Sequence, residues 1–532
     1  MLFKLKIVKM SEQVKNNAIL PIILSLVLAS GVFGGMLLEG VDKKASGDIQ
    51  KLEDVLLLLD NNYVDKVDKD AIFEATISDM LHKLDPHSNY ISTKDMKSVN
   101  ESIEGKFGGV GIRFLLLRDT ICVTNIINQS PSQKAGMKAG DKIVRVNGKK
   151  ICGPGITNEK VLATLKGNPG TTVSVTFLRG KKLQTVPLTR GIIPISSIPC
   201  AYMLDKQTGY LLISEFSQVT AEEFYIESTK LLNQGMKKMV LDLRNNPGGV
   251  MSSAIDIADA FLGKNNLILT SKGKNEGERR YYSSAGGHLE KTKLVVLINA
   301  HSASASEILA GAIQDNDRGM IVGRRSYGKG LIQKDEVLRD GSNLRLTIAR
   351  YYTPSGRCIQ RSYKGGYDNY MRDEERITRN EYFKQDSSVF VDSLKFKTKH
   401  GRIVYGGGGI MPDVFVPGDT SGASFYLTEL QWSGAARAFA FDFMQENRSK
   451  WTSSAQFVQS FEVSEQLLTR FLTFAQKDFR VQKDPVGLTV SKNLIKRMLK
   501  AEIASQKWTE EGYYRVLNPF DKELMKAISS FK

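Results

Sequence analysis

Asn299-Ala300-His301-Ser302-Ala303-Ser304-Ala305-Ser306-Glu307 follows the apolar run 294–298 and opens a helix-patterned run, 304–314. The stretch therefore reads as a turn from a buried strand into a helix. A serine in such a turn has two readings. Backbone N–H groups and the positive end of the helix dipole could stabilise an oxyanion beside it. Equally, the three serines could simply cap the helix. Outward from this turn, strand and helix patterns alternate over residues 210–417. The strands 239–243 and 294–298 are almost wholly apolar and predict burial on both faces, and helices 252–261 and 304–314 follow them. The pattern is that of an α/β core.

A serine nucleophile needs a base, usually histidine. The chain has five histidines. His82, His87 and His288 lie in segments with no nucleophile elbow, and no GxSxG occurs. His301 stands three residues from Ser304, an awkward spacing for a triad base. The scarcity points to lysine. Lys329 lies in the glycine-bounded turn Gly328-Lys329-Gly330, between apolar runs 320–322 and 331–332. Residues 323–329 also read GxxxxGK, the start of a phosphate-binding loop. Gly330 stands where that loop needs Ser or Thr, and the Arg324-Arg325 pair is foreign to it.

The remaining sequence sets the frame. The 532 residues suggest about three or four domains. A composition of 41% hydrophobic and 25% charged residues excludes polytopic, disordered and fibrous chains. The net charge of +17 suits acidic partners, but without a basic run or a nucleic-acid motif no nucleic acid is expected. Cys122, Cys152, Cys200 and Cys358 form neither a disulfide scaffold nor a zinc CxxC. Lys4, Lys6, Lys9 and Lys15 precede 21 residues, 18–38, without a charged side chain. That length spans about 30 Å as a helix and predicts a membrane anchor, with the rest of the chain outside the cytoplasm. A signal peptide cleaved near Ala29-Ser30-Gly31 is the alternative. Two helices fit residues 49–84, and a small mixed α/β module fits 105–190. Within that module strands are expected at 121–127, 142–146 and 172–178, with a helix at 157–165. Residues 368–400 read as a solvated insertion, and 418–532 as helical with Trp432, Trp451 and Trp508 as core anchors.

Six motifs in order then carry a resemblance. They are Leu84-Asp85-Pro86-His87-Ser88, Phe107-Gly108-Gly109-Val110-Gly111, Asp242-Leu243-Arg244-Asn245-Asn246-Pro247-Gly248-Gly249, Ser302-Ala303-Ser304-Ala305-Ser306-Glu307, Tyr327-Gly328-Lys329-Gly330 with Gln333, and Tyr351-Tyr352-Thr353-Pro354-Ser355-Gly356-Arg357. Over residues 50–417 the chain resembles the carboxy-terminal processing (tail-specific) proteases of the S41 serine peptidases. The resemblance implies Ser304 as nucleophile, Lys329 as base, Gln333 orienting the lysine, and the N–H groups of Gly249 and Ala305 as oxyanion donors. His301 stands where that family usually has a small residue. The 97–190 module resembles a PDZ domain, which implies a carboxylate-binding loop at Phe107, Gly108, Gly109, Val110, Gly111 and Ile112, with a groove lined by Phe107, Val110, Ile112 and Leu162.

Physical chemistry agrees with these assignments. A lysine accepts a proton only when neutral, so its pKa of about 10.4 must fall to roughly 7–8, which burial can achieve. An amide at Gln333 can accept a hydrogen bond from the lysine without adding charge. The expected organisation is an anchor at 1–44, a helical region at 45–96, a PDZ-like domain at 97–190, an S41 core of crotonase-like ββα type at 191–417 and a helical extension at 418–532. The expected function is an exported endopeptidase of the cell envelope, membrane-tethered with its catalytic part on the periplasmic side. It would act on proteins or peptides with free C-termini, use no metal or cofactor, and could form an oligomer. A non-catalytic PDZ scaffold and a Ser-His hydrolase using His87 or His301 are the alternatives.

Overall fold

The computed structural model describes residues 47–531. The expected anchor at 18–38 lies outside them. Among the described residues no helix is long and apolar enough to cross a membrane. The contacts divide the chain into two compact units at Ile77/Ser78. The first contains the helix Gly47–Asn62, which buries no residue of its own.

The second unit is built on a six-stranded sheet whose spatial order follows the chain: β1 (Cys200–Met203), β2 (Thr208–Leu212), β3 (Lys238–Asp242), β4 (Lys293–Ile298), β5 (Met320–Gly323) and β6 (Val414–Phe415). β1 and β2 are antiparallel, and every later pairing is parallel. The apolar runs of β3 and β4 follow from burial on both faces. One face packs Met239, Leu241, Val296 and Ile298 against α1 (Met251–Phe261) and α2 (Ala305–Asp315). The other packs Val240, Val295 and Leu297 against Leu524 and Ala527 of α3 (Lys522–Ser529).

Beside it, a five-stranded antiparallel sheet is centred on Asn343–Tyr352. That strand pairs with Asn89–Ile91, Leu267–Gly273 and Leu331–Val337. The 105–190 module has a six-stranded sheet of its own, with Ile112–Leu117 as an edge strand and the helix Asn158–Leu165 capped by Thr157. Lys106–Gly109 pairs with Gly191–Pro194, so the module enters and leaves at one place. Beyond residue 424 five helices pack around a core of their own before α3.

Two expectations are corrected. Trp451 and Trp508 pack against the helical core, but Trp432 is 87% exposed. Its helix buries Tyr426, Leu427 and Leu430, and two further residues at about 100° each turn Trp432 to the opposite side. The 368–400 segment is not simply solvated either. Arg376 and Tyr370 are buried, and Arg376 donates to the carbonyls of Arg325, Ser326 and Tyr327.

Candidate active site

Three loops leave the carboxyl ends of the adjacent parallel strands β3, β4 and β5, where α/β sheets bind ligands. Residues 243–249 carry the glycine pair, 299–304 the serine and 324–330 the lysine. The loops bond to one another. The Ala303 N–H donates to the Asn246 carbonyl at 3.0 Å and the Tyr327 N–H to the Ser302 carbonyl at 2.9 Å. The Ser302 hydroxyl donates to the Leu243 carbonyl at 2.8 Å. Asn245 and Asn299 exchange hydrogen bonds at 3.0 and 2.9 Å.

Ser304 sits immediately before α2 with φ 54° and ψ −112°, a backbone state that costs a non-glycine residue of order 1–3 kcal/mol. Its surroundings hold it there. Its N–H donates to Glu307 Oε2 at 2.9 Å, and its carbonyl accepts from the N–H groups of Glu307 and Ile308. The Tyr351 hydroxyl lies 3.2 Å from the same carbonyl and donates to the Lys329 carbonyl at 2.8 Å. Glu307 also reaches the lysine loop, accepting from the N–H groups of Gly328 (2.6 Å) and Lys329 (2.9 Å) and the hydroxyl of Ser326 (2.5 Å). Burial pushes the Glu307 carboxyl above its usual range, while those hydrogen bonds favour the ionised form. Glu307 and Tyr351 thus join the two expected catalytic residues through their backbones. Both stand in the motifs quoted above, and neither motif by itself implies this role. The signal for Glu307 was its spacing of three from Ser304, that of a capping box.

Lys329 Nζ donates to Gln333 Oε1 at 2.8 Å. A register shift between Ile332 and Gln333 bends the strand at this point. Gln333 Nε2 in turn donates to the His87 carbonyl. Asp85 fixes that segment by accepting from the N–H groups of His87 and Ser88, the Ser88 hydroxyl and Thr347. The Leu84-Asp85-Pro86-His87-Ser88 motif is therefore the footing beneath Gln333. Burial first, then the Arg345 charge, lowers the Lys329 pKa from 10.5 to about 8. That shift corresponds to about 3 kcal/mol against the charged form.

The His87 ring nitrogen Nε2 pairs with the Tyr370 hydroxyl at 2.8 Å. Burial, with the Lys329 charge second, pushes its pKa down to about 3. His301 is exposed, and its backbone N–H bonds Asn299.

Gly248 and Gly249 have φ +97° and +136°. A Cβ at Gly248 would meet Ser304 Cβ at 2.7 Å and the Ala305 nitrogen at 2.9 Å. Phe216 bonds the Gly248 carbonyl (2.9 Å) and the Val250 N–H (2.7 Å). Strand alternation then turns the Gly249 N–H away from Phe216. Ala305, first in α2, has no intrahelical acceptor for its N–H. The GxxxxGK segment leads into the strand Leu331–Val337, whereas a phosphate-binding loop opens a helix.

In the 105–190 module Phe107, Gly108 and Gly109 lie in the strand Lys106–Gly109, Val110 and Gly111 form the link, and Ile112 begins the edge strand. The Gly108 carbonyl accepts from the Gly167 N–H at 3.0 Å, bringing this loop against the end of the helix Asn158–Leu165. The expected groove lining needs correcting. The Val110 side chain is buried in the module's own core, so at this position only backbone is left to face a ligand.

The sequence model of peptidase family S41 matches residues 207–366, and that of the PDZ domain matches 108–189. Residues 36–95 match the N-terminal domain of the activating protease CtpB, and 426–509 match a family of unknown function, DUF8443. A carboxy-terminal-processing protease of Bartonella bacilliformis is 36% identical over 59% of this chain and 72% of its own length. A probable CtpA-like serine protease of Staphylococcus aureus is 32% identical over 63% of this chain and 67% of its own. The solved photosystem II D1 C-terminal processing protease is 29% identical over 57% of this chain and 82% of that one, with a TM-score of 0.32, too low to carry weight. This is a serine-type peptidase with a PDZ domain, and the chain belongs to the carboxy-terminal-processing proteases of family S41.

Proposed function

We propose that the chain is an exported endopeptidase that cleaves through a Ser304–Lys329 dyad. Neutral Lys329 takes the proton from Ser304 Oγ as that oxygen attacks the scissile carbonyl. The N–H groups of Gly249 and Ala305 hold the resulting oxyanion. The lysine then returns the proton to the leaving amine, and the C–N bond breaks to leave an acyl-enzyme. Water, deprotonated by the same lysine, releases the second fragment and restores Ser304. Gln333, by accepting one lysine hydrogen, directs the lone pair.

The observation that carries this reading is Lys329 itself, partly buried, bonded to a neutral amide and lowered to about 8. At pH 7 that leaves about a tenth of the lysine neutral, against fewer than one in a thousand at the unperturbed value. The test is fragment release from an unfolded protein by the full chain, Ser304→Ala and Lys329→Arg. Both variants should be inactive, because a guanidinium does not deprotonate. Cleavage by either at more than about a tenth of the wild-type rate would sink the dyad.

The PDZ domain supports capture of substrate C-termini by strand addition at the Ile112–Leu117 edge, with the terminal carboxylate on the loop 107–112. We assign the anchor to 1–44, the helical region to 45–96, the PDZ-like domain to 97–190, the protease core to 191–417 and the extension to 418–532. The 18–38 stretch supports tethering to a membrane with the protease outside the cytoplasm. Carbonate extraction of membranes tests this, since an anchored chain stays in the pellet.

A further inference from the structure

Two arginines stand at the roots of the catalytic loops without a part in the steps above. Arg244 lies two residues beyond β3, on the way to Gly248 and Gly249. Arg324 is the first residue beyond β5, on the way to Lys329. Their side chains are only 15% and 11% exposed, and both reach one carboxylate, that of Glu523 in α3. Arg244 Nη1 donates to Glu523 Oε2 at 2.9 Å, and Arg324 Nη1 donates to Oε1. β4, which delivers Ser304, runs between β3 and β5. One side chain therefore spans the strand of the candidate nucleophile from flank to flank.

The two arginines are not equivalent. Arg244 also pairs with Asp242 (2.6 Å) and Asp521 (2.8 Å). Arg324 otherwise meets the Val416 carbonyl at 3.5 Å and the Tyr382 ring at 4.8 Å. Glu523 is thus its ionic partner among the described residues. The seating of α3 is a separate matter. Leu524 and Ala527 pack on Val240, Val295 and Leu297, and Asp521 caps the helix by accepting the N–H groups of Glu523 and Leu524. Packing would hold the helix with any polar residue at 523. Two oxygens bound to two different loops instead fix the separation of those loops.

We propose that Glu523 is a positioning residue for peptide-bond cleavage. It sets the distance between the Gly248–Gly249 turn and the Lys329 loop across Ser304. It comes from outside residues 207–366, the part that matches the protease family. The proposal rests on the Ser304–Lys329 reading. A misplacement of about 1 Å between reacting groups costs about 100-fold in rate, so a slackened spacing should act on kcat and leave KM in place.

The experiment compares the full chain with Glu523→Gln, Glu523→Asp and Ile528→Ala. Gln keeps the shape without the charge. Asp keeps the charge but is one methylene too short to span both arginines. Ile528 packs in the same cluster without bonding either loop. For each variant kcat, KM, the thermal midpoint and the rate of Ser304 labelling by a fluorophosphonate are measured well below the midpoint. Expected are kcat and labelling rates about 10- to 100-fold lower in both Glu523 variants, with KM within about twofold. Ile528→Ala should melt earlier yet keep its kcat. Wild-type kcat and labelling in Glu523→Asp would overturn the proposal even if Glu523→Gln failed to fold. So would an equal fall in kcat for Ile528→Ala, because packing alone would then explain it. Failure of the dyad reading shows up elsewhere, as cleavage retained by Ser304→Ala or Lys329→Arg.

Discussion

The loops at the end of the central sheet and the peptide-binding module are held in opposite ways. Around Ser304 and Lys329 the ties are shared and run through buried side chains, with Glu307 joining both loops and Tyr351 facing a carbonyl of each. The module's edge-strand arginine Arg113 meets Glu510 at 2.6 Å, and Arg118, just past the strand, meets Asp442 and Asp478 at 2.9 and 3.4 Å. All three pairs are partly exposed, their side chains 30–55% open to solvent. Exposed pairs of this kind stabilise by about 0–1 kcal/mol. The contrast teaches where precision is needed. The proposed reacting groups are over-determined, while the recognising surface is joined by contacts cheap to break, as a module that must admit and release a chain requires.

The largest expected effect breaks the contrast if it fails. Lys329→Arg should lower kcat/KM by about 10²–10⁴-fold, and a loss below about tenfold in peptide hydrolysis would remove Lys329 as base. Gly248→Ala comes next, since its Cβ would lie 2.7 Å from Ser304 Cβ at φ +97°. Loss of one oxyanion donor costs about 10²–10³ in kcat, and a comparable fall is expected here with KM unchanged. Amidating the substrate's C-terminus removes charged hydrogen bonds of about 1.5–3 kcal/mol, or roughly 10- to 150-fold. That loss should fall in KM if the module only tethers; equal kinetics for acid and amide ends would end the carboxylate assignment.

The pH profile sharpens the chemical side. With Lys329 lowered to about 8, a neutral lysine base predicts activity that rises with pH through that value. Gln333→Glu places a carboxylate against the ammonium, raises the lysine pKa and moves the limb upward. An upward move of one unit would mean about tenfold less activity at pH 7. A limb that stays in place would separate Gln333 from the lysine. The smallest effect belongs to the looser region: Arg118→Ala should change the thermal midpoint and kcat little, an effect of about 1 kcal/mol at most. A large effect would show that the module is fastened more firmly than its ion pairs suggest.

Much of this was legible in the chain. The apolar runs of β3 and β4 announced strands covered on both faces, and the glycine-flanked lysine and the serine turn were found from residue type and order. What escaped was tertiary. Arg376 sits in a segment dense in charge, and nothing local says that its guanidinium is buried against three carbonyls. Trp432 looked like an anchor because it is large and apolar, yet its place on the helix points it outward. Val110 looked like groove lining, yet in the link between two strands its side chain packs into the module's own core.

Arg376 also bears on time. With its guanidinium on the carbonyls of residues 325–327, the loop has few unbonded groups left. The N–H groups of residues 326–329 go to Ile410, Ser302 and Glu307. A backbone so fully engaged has no soft coordinate along which to relax when Lys329 gains or loses a proton. In the proposed Ser304–Lys329 dyad, proton transfer would then be a movement of side chain and substrate alone. On the dyad reading, the slow motions of the cycle would then lie in delivery of the polypeptide and departure of its fragments.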